Sequence, residues 1–149
     1  MGDQQDWELW HDFLRAHHSV LGELEQELRR RYQLTAAQYG VLRLLFHADG
    51  GRVRMQELAD AVGYSSGAAT RMVDPLVRAG LVERESDPDD RRVVIVTLTQ
   101  AGRNLYLKAR PDHIEGIERL FLGRLTPDER AVMAAALKRL AGSDSRVIV

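Results

Sequence analysis

The hydrophobic period of this chain changes once, and that change constrains the fold more than any other feature. Up to Gly80 the apolar residues recur at spacings of three and four, the mark of helices with one buried face. Then "LVERE" and "VVIVTL" bring β-branched residues and a period of two, on either side of the acidic-basic loop Ser86 to Arg92. Such a pair reads as a β-hairpin. From Thr99 the helical period returns. The expected order is helix, helix, helix, helix, hairpin, helix, helix: a mainly α chain with a small β-wing.

The segments divide further at their caps. Leu9, Phe13, His17, Val20/Leu21, Leu24 and Leu28 form one stripe of a long first helix. Thr35 and Gln38 have capping-box spacing ahead of a second helix with Tyr39, Leu42, Leu45 and Phe46 inward, ended by Gly50 and Gly51. "MQELADAVG" is a short helix that buries Met55, Leu58, Ala59 and Val62. Ser65 or Ser66 caps the fourth helix, which closes at Gly80, with Met72, Val73, Leu76 and Val77 toward the core and Pro75 as an interior kink. Thr99 caps a long fifth helix running to about Arg124, bent near Pro111; Thr126 and Pro127 open the last.

Two short helices joined by a tight glycine turn, "ELADAVGYSSGAATRMV", form a helix-turn-helix candidate. A ribbon directly after the second helix makes it a winged helix, in which that helix enters the major groove and the ribbon lies over the backbone beside the minor groove. Composition neither forces nor forbids this. At 149 residues the chain fits one domain, 1–149, with a winged helix-turn-helix over 35–98 and dimerisation helices over 6–34 and 99–141. Net charge is −1, and residues 52 to 92 also sum to −1, so placed cations must substitute for bulk basicity. Of the 21 basic residues nineteen are Arg, the better fork for phosphates and guanine edges. Cysteine is absent, which excludes disulfides and thiol-based redox sensing. No apolar run approaches the roughly 20 residues that span a bilayer, and the N-terminus lacks a signal-peptide pattern, so no membrane partner and a cytoplasmic location are expected.

The segments "LTAAQYGVLRLL", "MQELADAVGYSSGAATRMVDPLVRAGLVER" and "DPDDRRVVIVTLTQAG" resemble the MarR family of bacterial transcription regulators over nearly the whole chain. The family's wing motif, D-x-R followed by an apolar strand and L-T-x-x-G, is matched by Asp90, Arg92, Leu98, Thr99 and Gly102. The resemblance implies a homodimeric regulator, a repressor, that binds double-stranded DNA at a pseudo-palindromic operator and responds to a small, aromatic effector. Such effectors sit between the dimerisation helices and the DNA-binding lobe, which makes Trp10, Arg15, His18 and Tyr39 ligand candidates.

Within that frame each residue of the loop has a role. The narrow minor groove of A·T-rich DNA has enhanced negative potential and admits a guanidinium. Arg92 is read as the probe, Asp90 as the group that orients it by a charge-assisted hydrogen bond, Arg91 as a phosphate contact, and Asp87-Pro88 as the start of the turn. A calcium loop fails on spacing: counted from Asp87, Arg92 and Leu98 stand where Gly and Glu are required. An acid pair for catalysis fails too, since adjacent Arg keeps these carboxylates ionised and no second half of an active site is visible. The DNA-facing set on and before the recognition helix is Arg54, Ser65, Ser66, Gly67, Thr70 and Arg71. The histidines, including His11, His18 and His47, read as solvated or capping groups, so no metal or cofactor is expected. Leu9, Phe13, Leu120, Phe121, Met133, Leu137 and Leu140 are candidates for an intersubunit core. The competing class is a small-ligand or protein-docking module on a winged-helix scaffold that does not touch DNA. An enzyme is not expected.

Overall fold

A computed structural model describes the backbone of residues 2–141 and the side chains from residue 6; the extreme ends of the 1–149 domain lie outside the described residues. Six helices and a three-stranded antiparallel sheet follow the expected order with one addition. They are α1 (Gly2–Tyr32), α2 (Ala36–His47), β1 (Arg52–Arg54), α3 (Met55–Val62), α4 (Ser66–Arg78), β2 (Val82–Ser86), β3 (Val94–Leu98), α5 (Gln100–Leu120) and α6 (Pro127–Ala141). The sheet order is β1-β3-β2.

Local chemistry accounts for most boundaries. Thr35 Oγ1 accepts from Gln38 N at 3.0 Å while Gln38 Oε1 accepts from Thr35 N at 2.9 Å, closing the capping box of α2. After α2, Gly50 and Gly51 hold φ of 65° and 68° in a tight turn that most side chains avoid. Thr99 Oγ1 accepts from Gly102 N at 3.0 Å to start α5, and Thr126 with Glu129 starts α6. The Thr126 backbone bond holds the Glu129 carboxyl below its ordinary value.

The core joins α2, α3, α4, the inner face of the sheet and the N-terminal half of α5. Val41, Leu42, Leu45, Leu58, Ala59, Ala69, Val73, Val96 and Ala109 are fully enclosed, and Tyr106 nearly so. Each larger side chain contributes about 1.5–3 kcal/mol by leaving water. The C-terminal half of α1 packs on α5 through Leu24 and Leu28, where Gly116 permits close approach: a Cβ there would stand 2.8 Å from Leu24 Cδ2.

Four expectations are corrected. β1 makes the sheet three-stranded rather than a simple hairpin, pairing Arg52 with Thr97, Val53 with Val96 and Arg54 with Ile95. α5 ends at Leu120, not near Arg124; a 3-10 turn over Leu122–Arg124 leads to α6. Leu120 is 4% exposed, so it is filled by its own chain and is no part of an open intersubunit face. Val77 is exposed, because the buried stripe of α4 runs through Ala69, Val73 and Leu76. Both prolines are carried inside their helices, Pro75 in α4 and Pro111 in α5.

Candidate nucleic-acid interface

The turn between α3 and α4 is set by Gly63, whose φ of 70° stops α3, and by Ser65, whose Oγ accepts from Ala68 N at 3.3 Å to start α4. With Ala69, Val73 and Leu76 inward, the opposite stripe carries Gly67 and Arg71, both exposed, while Ser66 is exposed at the first turn beside α3 and Thr70 is half-buried one turn on. Ser66 Oγ donates to Gln56 Oε1 at 2.8 Å, tying α4 to α3. Arg84 on β2 ties it to the sheet, bonding the Asp74 carboxylate and the Thr70 carbonyl, the latter at 3.3 Å. The reading helix is thus braced from both sides.

The wing is ordered by its acids. Asp87 N donates to the Val93 carbonyl at 2.8 Å and Asp87 Oδ1 accepts from Asp89 N at 2.9 Å, which closes the loop. Asp90 Oδ1 accepts from Arg92 N at 3.1 Å and from Arg92 Nε at 3.2 Å. The second bond holds the side chain by its Nε and leaves both terminal nitrogens without a partner among the described residues, with the Arg92 side chain 92% exposed. These bonds, the backbone one foremost, hold the Asp90 carboxyl below the usual carboxylate range; nearby Arg54 adds to the shift. Arg54 and Arg91 are exposed at the same end of the sheet, so the structure collects three guanidinium groups around the wing base and tip.

A profile of the MarR family matches residues 34–94. The uncharacterised HTH-type transcriptional regulator YkoM of Bacillus subtilis is 33% identical over 133 residues, covering 88% of this chain and 82% of that protein. AbsC, a MarR family transcriptional regulator from Streptomyces coelicolor, superposes with a TM-score of 0.88 at 28% identity, covering 95% of each chain. This chain belongs to the MarR family. The resemblance read from the wing motif therefore holds, and the protein is a MarR-family transcriptional regulator with a winged-helix fold. A further solved structure, BpsR of Bordetella bronchiseptica, superposes with a TM-score of 0.78 at 28% identity over 91% of this chain and 99% of that one; its DNA binding is regulated by 6-hydroxynicotinic acid.

In this MarR-family chain the four ligand candidates do not share one surface. Trp10 is 50% exposed on α1 and stacks on Phe13; Arg15 pairs with Asp12; His18 is exposed. Tyr39 is 4% exposed and packs against Tyr106 and His113, with centroids 5.5 and 4.3 Å away. Burial pushes its phenol up to about 12. It is a core residue.

A different concavity opens between α1, the start of α2 and α5, lined by Val20, Leu21, Leu24, Ala36, His113, Ile117 and Phe121, with a volume of about 180 Å³. His113 Nδ1 is buried there and has no hydrogen-bond partner among the described residues. Burial, with Arg43 nearby, lowers the His113 pKa and favours the neutral ring. Sequence reasoning missed His113, Gln56 and Arg84. Only Gln56 carried any signal, its (i, i+4) spacing to Asp60 on one face of α3.

Proposed function

We propose that this MarR-family regulator acts as a homodimeric, sequence-specific DNA-binding repressor that binds a pseudo-palindromic operator and is released by a small aromatic ligand. The observation that carries the reading is the wing: an almost fully exposed Arg92 held by Asp90, on the same lobe as the exposed stripe of α4. α4 enters the major groove through Ser66, Gly67, Thr70 and Arg71, while Arg92 takes the adjacent minor groove. Arg54, Arg91 and the Ser65 hydroxyl contact phosphate.

The dimer is supported by the apolar surface that one chain leaves open. Trp7, Leu9, Trp10, Phe13 and Leu14 on α1, Ile114 on α5, and Val132, Leu137 and Leu140 on α6 are all exposed, and no residue of α6 is fully buried by its own chain. So many large apolar side chains left in water on three helices are unusual for a monomer. The cavity beside His113 supports the effector site: below the roughly 300–1,000 Å³ of drug-sized sites, it suits a single ring, and the buried imidazole nitrogen offers one polar anchor.

The alternative, a ligand or docking module that no longer touches DNA, draws on the net charge of −1. Titrating the protein with a palindromic duplex from its own promoter region, across several salt concentrations, separates the two. Three arginines per subunit at phosphates or in the minor groove give a log–log salt slope of about −5 for the dimer, with specific binding persisting where random duplex is released. Equal, weak binding to both duplexes at all salts rejects the proposal.

A further inference from the structure

We propose that the N-terminal two turns of α4 recognise exocyclic amino groups of the bases, because the hydroxyls they carry, Ser66 and Thr70, are fixed as hydrogen-bond acceptors. The proposal rests on the reading of α4 as the helix in the major groove. It begins with Asp60 on α3, whose carboxylate, when ionised, accepts hydrogen bonds and donates none. Gln56, one turn earlier, sets its side-chain amide against that group, Nε2 donating to Asp60 Oδ1 at 3.0 Å. The opposite orientation of the amide would put carbonyl oxygen against carboxylate oxygen, two acceptors with no hydrogen between them. The Gln56 oxygen therefore faces the other way, where Ser66 Oγ stands 2.8 Å from it.

That oxygen only accepts, so the Ser66 hydroxyl must donate. A hydroxyl has one hydrogen and two lone pairs, and with the hydrogen committed to Gln56 the lone pairs are what Ser66 offers to DNA. Thr70 reaches the same state by another route: its Oγ1 donates to the Ser66 carbonyl at 2.9 Å. Ser65 is the contrast. Its Oγ accepts from Ala68 N at 3.3 Å, which leaves its hydrogen for a phosphate.

An acceptor gains nothing from phosphate oxygens, nor from guanine O6 and N7, adenine N7 or thymine O4, which are acceptors themselves. In the major groove only adenine N6 and cytosine N4 donate. Every base pair holds one such amino group, so an acceptor on α4 reports which strand carries adenine or cytosine. Arg71, exposed next to Thr70, has donors only and takes the complementary acceptors of guanine. Gln56 is a positioning residue: it sets the polarity of Ser66 without touching a base.

The test is selection from a duplex library with a randomised core, using the full-length protein and its Ser66→Ala, Gln56→Leu, Gln56→Glu and Arg71→Ala variants, each checked for an unchanged thermal melt. At one position per half-site the wild type should favour A or C over G or T on one strand by roughly two- to tenfold, the range of one net hydrogen bond. Ser66→Ala should erase that preference while leaving affinity for random duplex within about twofold. Gln56→Leu frees the hydroxyl hydrogen, so the same position should tolerate G and T although Ser66 is intact. Gln56→Glu keeps an acceptor for Ser66 and should keep the A or C preference, with overall affinity lowered by the added negative charge. A merely structural Gln56 would not separate the two variants in this way.

A preference for G or T at the Ser66-dependent position, or a Gln56→Leu profile identical to wild type, overturns the assignment. An enriched palindrome that loses specificity with Arg71→Ala but not with Ser66→Ala rejects this inference and keeps the DNA-binding reading. A wild type that enriches no duplex overturns both.

Discussion

Replacing Gly102 by alanine sets two physical effects against each other. Gly102 lies in the first turn of α5, where helix propensity alone makes alanine better by about 1 kcal/mol. The structure argues the other way. A Cβ at this position would overlap the Leu81 carbonyl oxygen and stand 2.8 Å from Leu98 Cδ1 and 3.0 Å from the Leu81 carbonyl carbon. The obstacle is backbone, and it is held: the Leu81 oxygen accepts from Thr99 N at 3.1 Å, and the neighbouring Gly80 oxygen accepts from Thr99 Oγ1 at 2.7 Å. Relief requires α5 to withdraw by on the order of 1 Å to reach ordinary contact distance. Overpacking of this kind costs about 1–3 kcal/mol, and each Thr99 bond lost about 0.5–1.5 kcal/mol. The steric effect exceeds the propensity gain, and the expected net loss is about 1–3 kcal/mol, or roughly 3–10 °C in Tm for a chain of this size. Urea denaturation followed by circular dichroism measures it directly. Because Gly80 and Leu81 join α4 to β2, operator affinity should fall as well at temperatures where the variant is fully folded. An alanine variant as stable as wild type, or more so, would refute the steric account.

Other perturbations follow from the same geometry. Arg84→Met removes the bonds to Asp74 and to the Thr70 carbonyl and should lower stability by about 1 kcal/mol after solvent screening, with Asp74→Asn adding less than its own effect in a double-mutant cycle. Arg92→Ala should weaken operator binding, and Asp90→Ala should weaken it too, although simple Coulomb attraction predicts tighter binding once a carboxylate is gone; the double variant should bind no worse than Arg92→Ala. Tighter binding by Asp90→Ala in a fluorescence anisotropy titration rejects the positioned-probe account. His113 has a lowered pKa in the folded state, so the unfolded chain takes up its proton first; stability should be fully present above about pH 6.5 and decline as pH falls through that value. His113→Phe should flatten that decline in denaturation curves between pH 7 and 5, and an unchanged profile would assign the loss to other groups.

What the sequence made legible was local. The caps at Thr35, Thr99 and Thr126 act on residues three positions away, and Asp90 meets Arg92 within one turn, so spacing alone exposes them. β1 had no such signal: Arg52, Val53 and Arg54 are too few to show a period, and they form a strand because β3 offers a second edge. The Arg84–Asp74 and Ser66–Gln56 contacts join residues ten apart across turns whose angle no pattern discloses. Periodicity identifies an apolar face without saying which molecule covers it. Leu120 therefore read like Leu140, yet one is enclosed by its own chain and the other is 82% exposed. His113 sits between Asp112 and Ile114 in an unremarkable helical stretch, and its burial comes from long-range packing, with Tyr39 of α2 against its ring, that no local pattern discloses.

β3 ends at Leu98 and α5 begins at Gln100, so Thr99 is the whole connection, and its hydroxyl grips Gly80 and Gly102 at once. A joint of one residue, clamped on both sides, has no slack. α5 is thereby joined directly to the reading head as an arm about 31 Å long at 1.5 Å per residue. In a two-fold dimer hinged at the far ends of such arms, a swing of roughly 5° displaces each head by about 2.7 Å. Two heads moving apart together change their separation by about 5 Å, a large error against the roughly 34–36 Å between successive major grooves. The pair would work as a caliper, and a molecule lodged near the pivot would need to open it by only a few degrees to lose its grip on DNA.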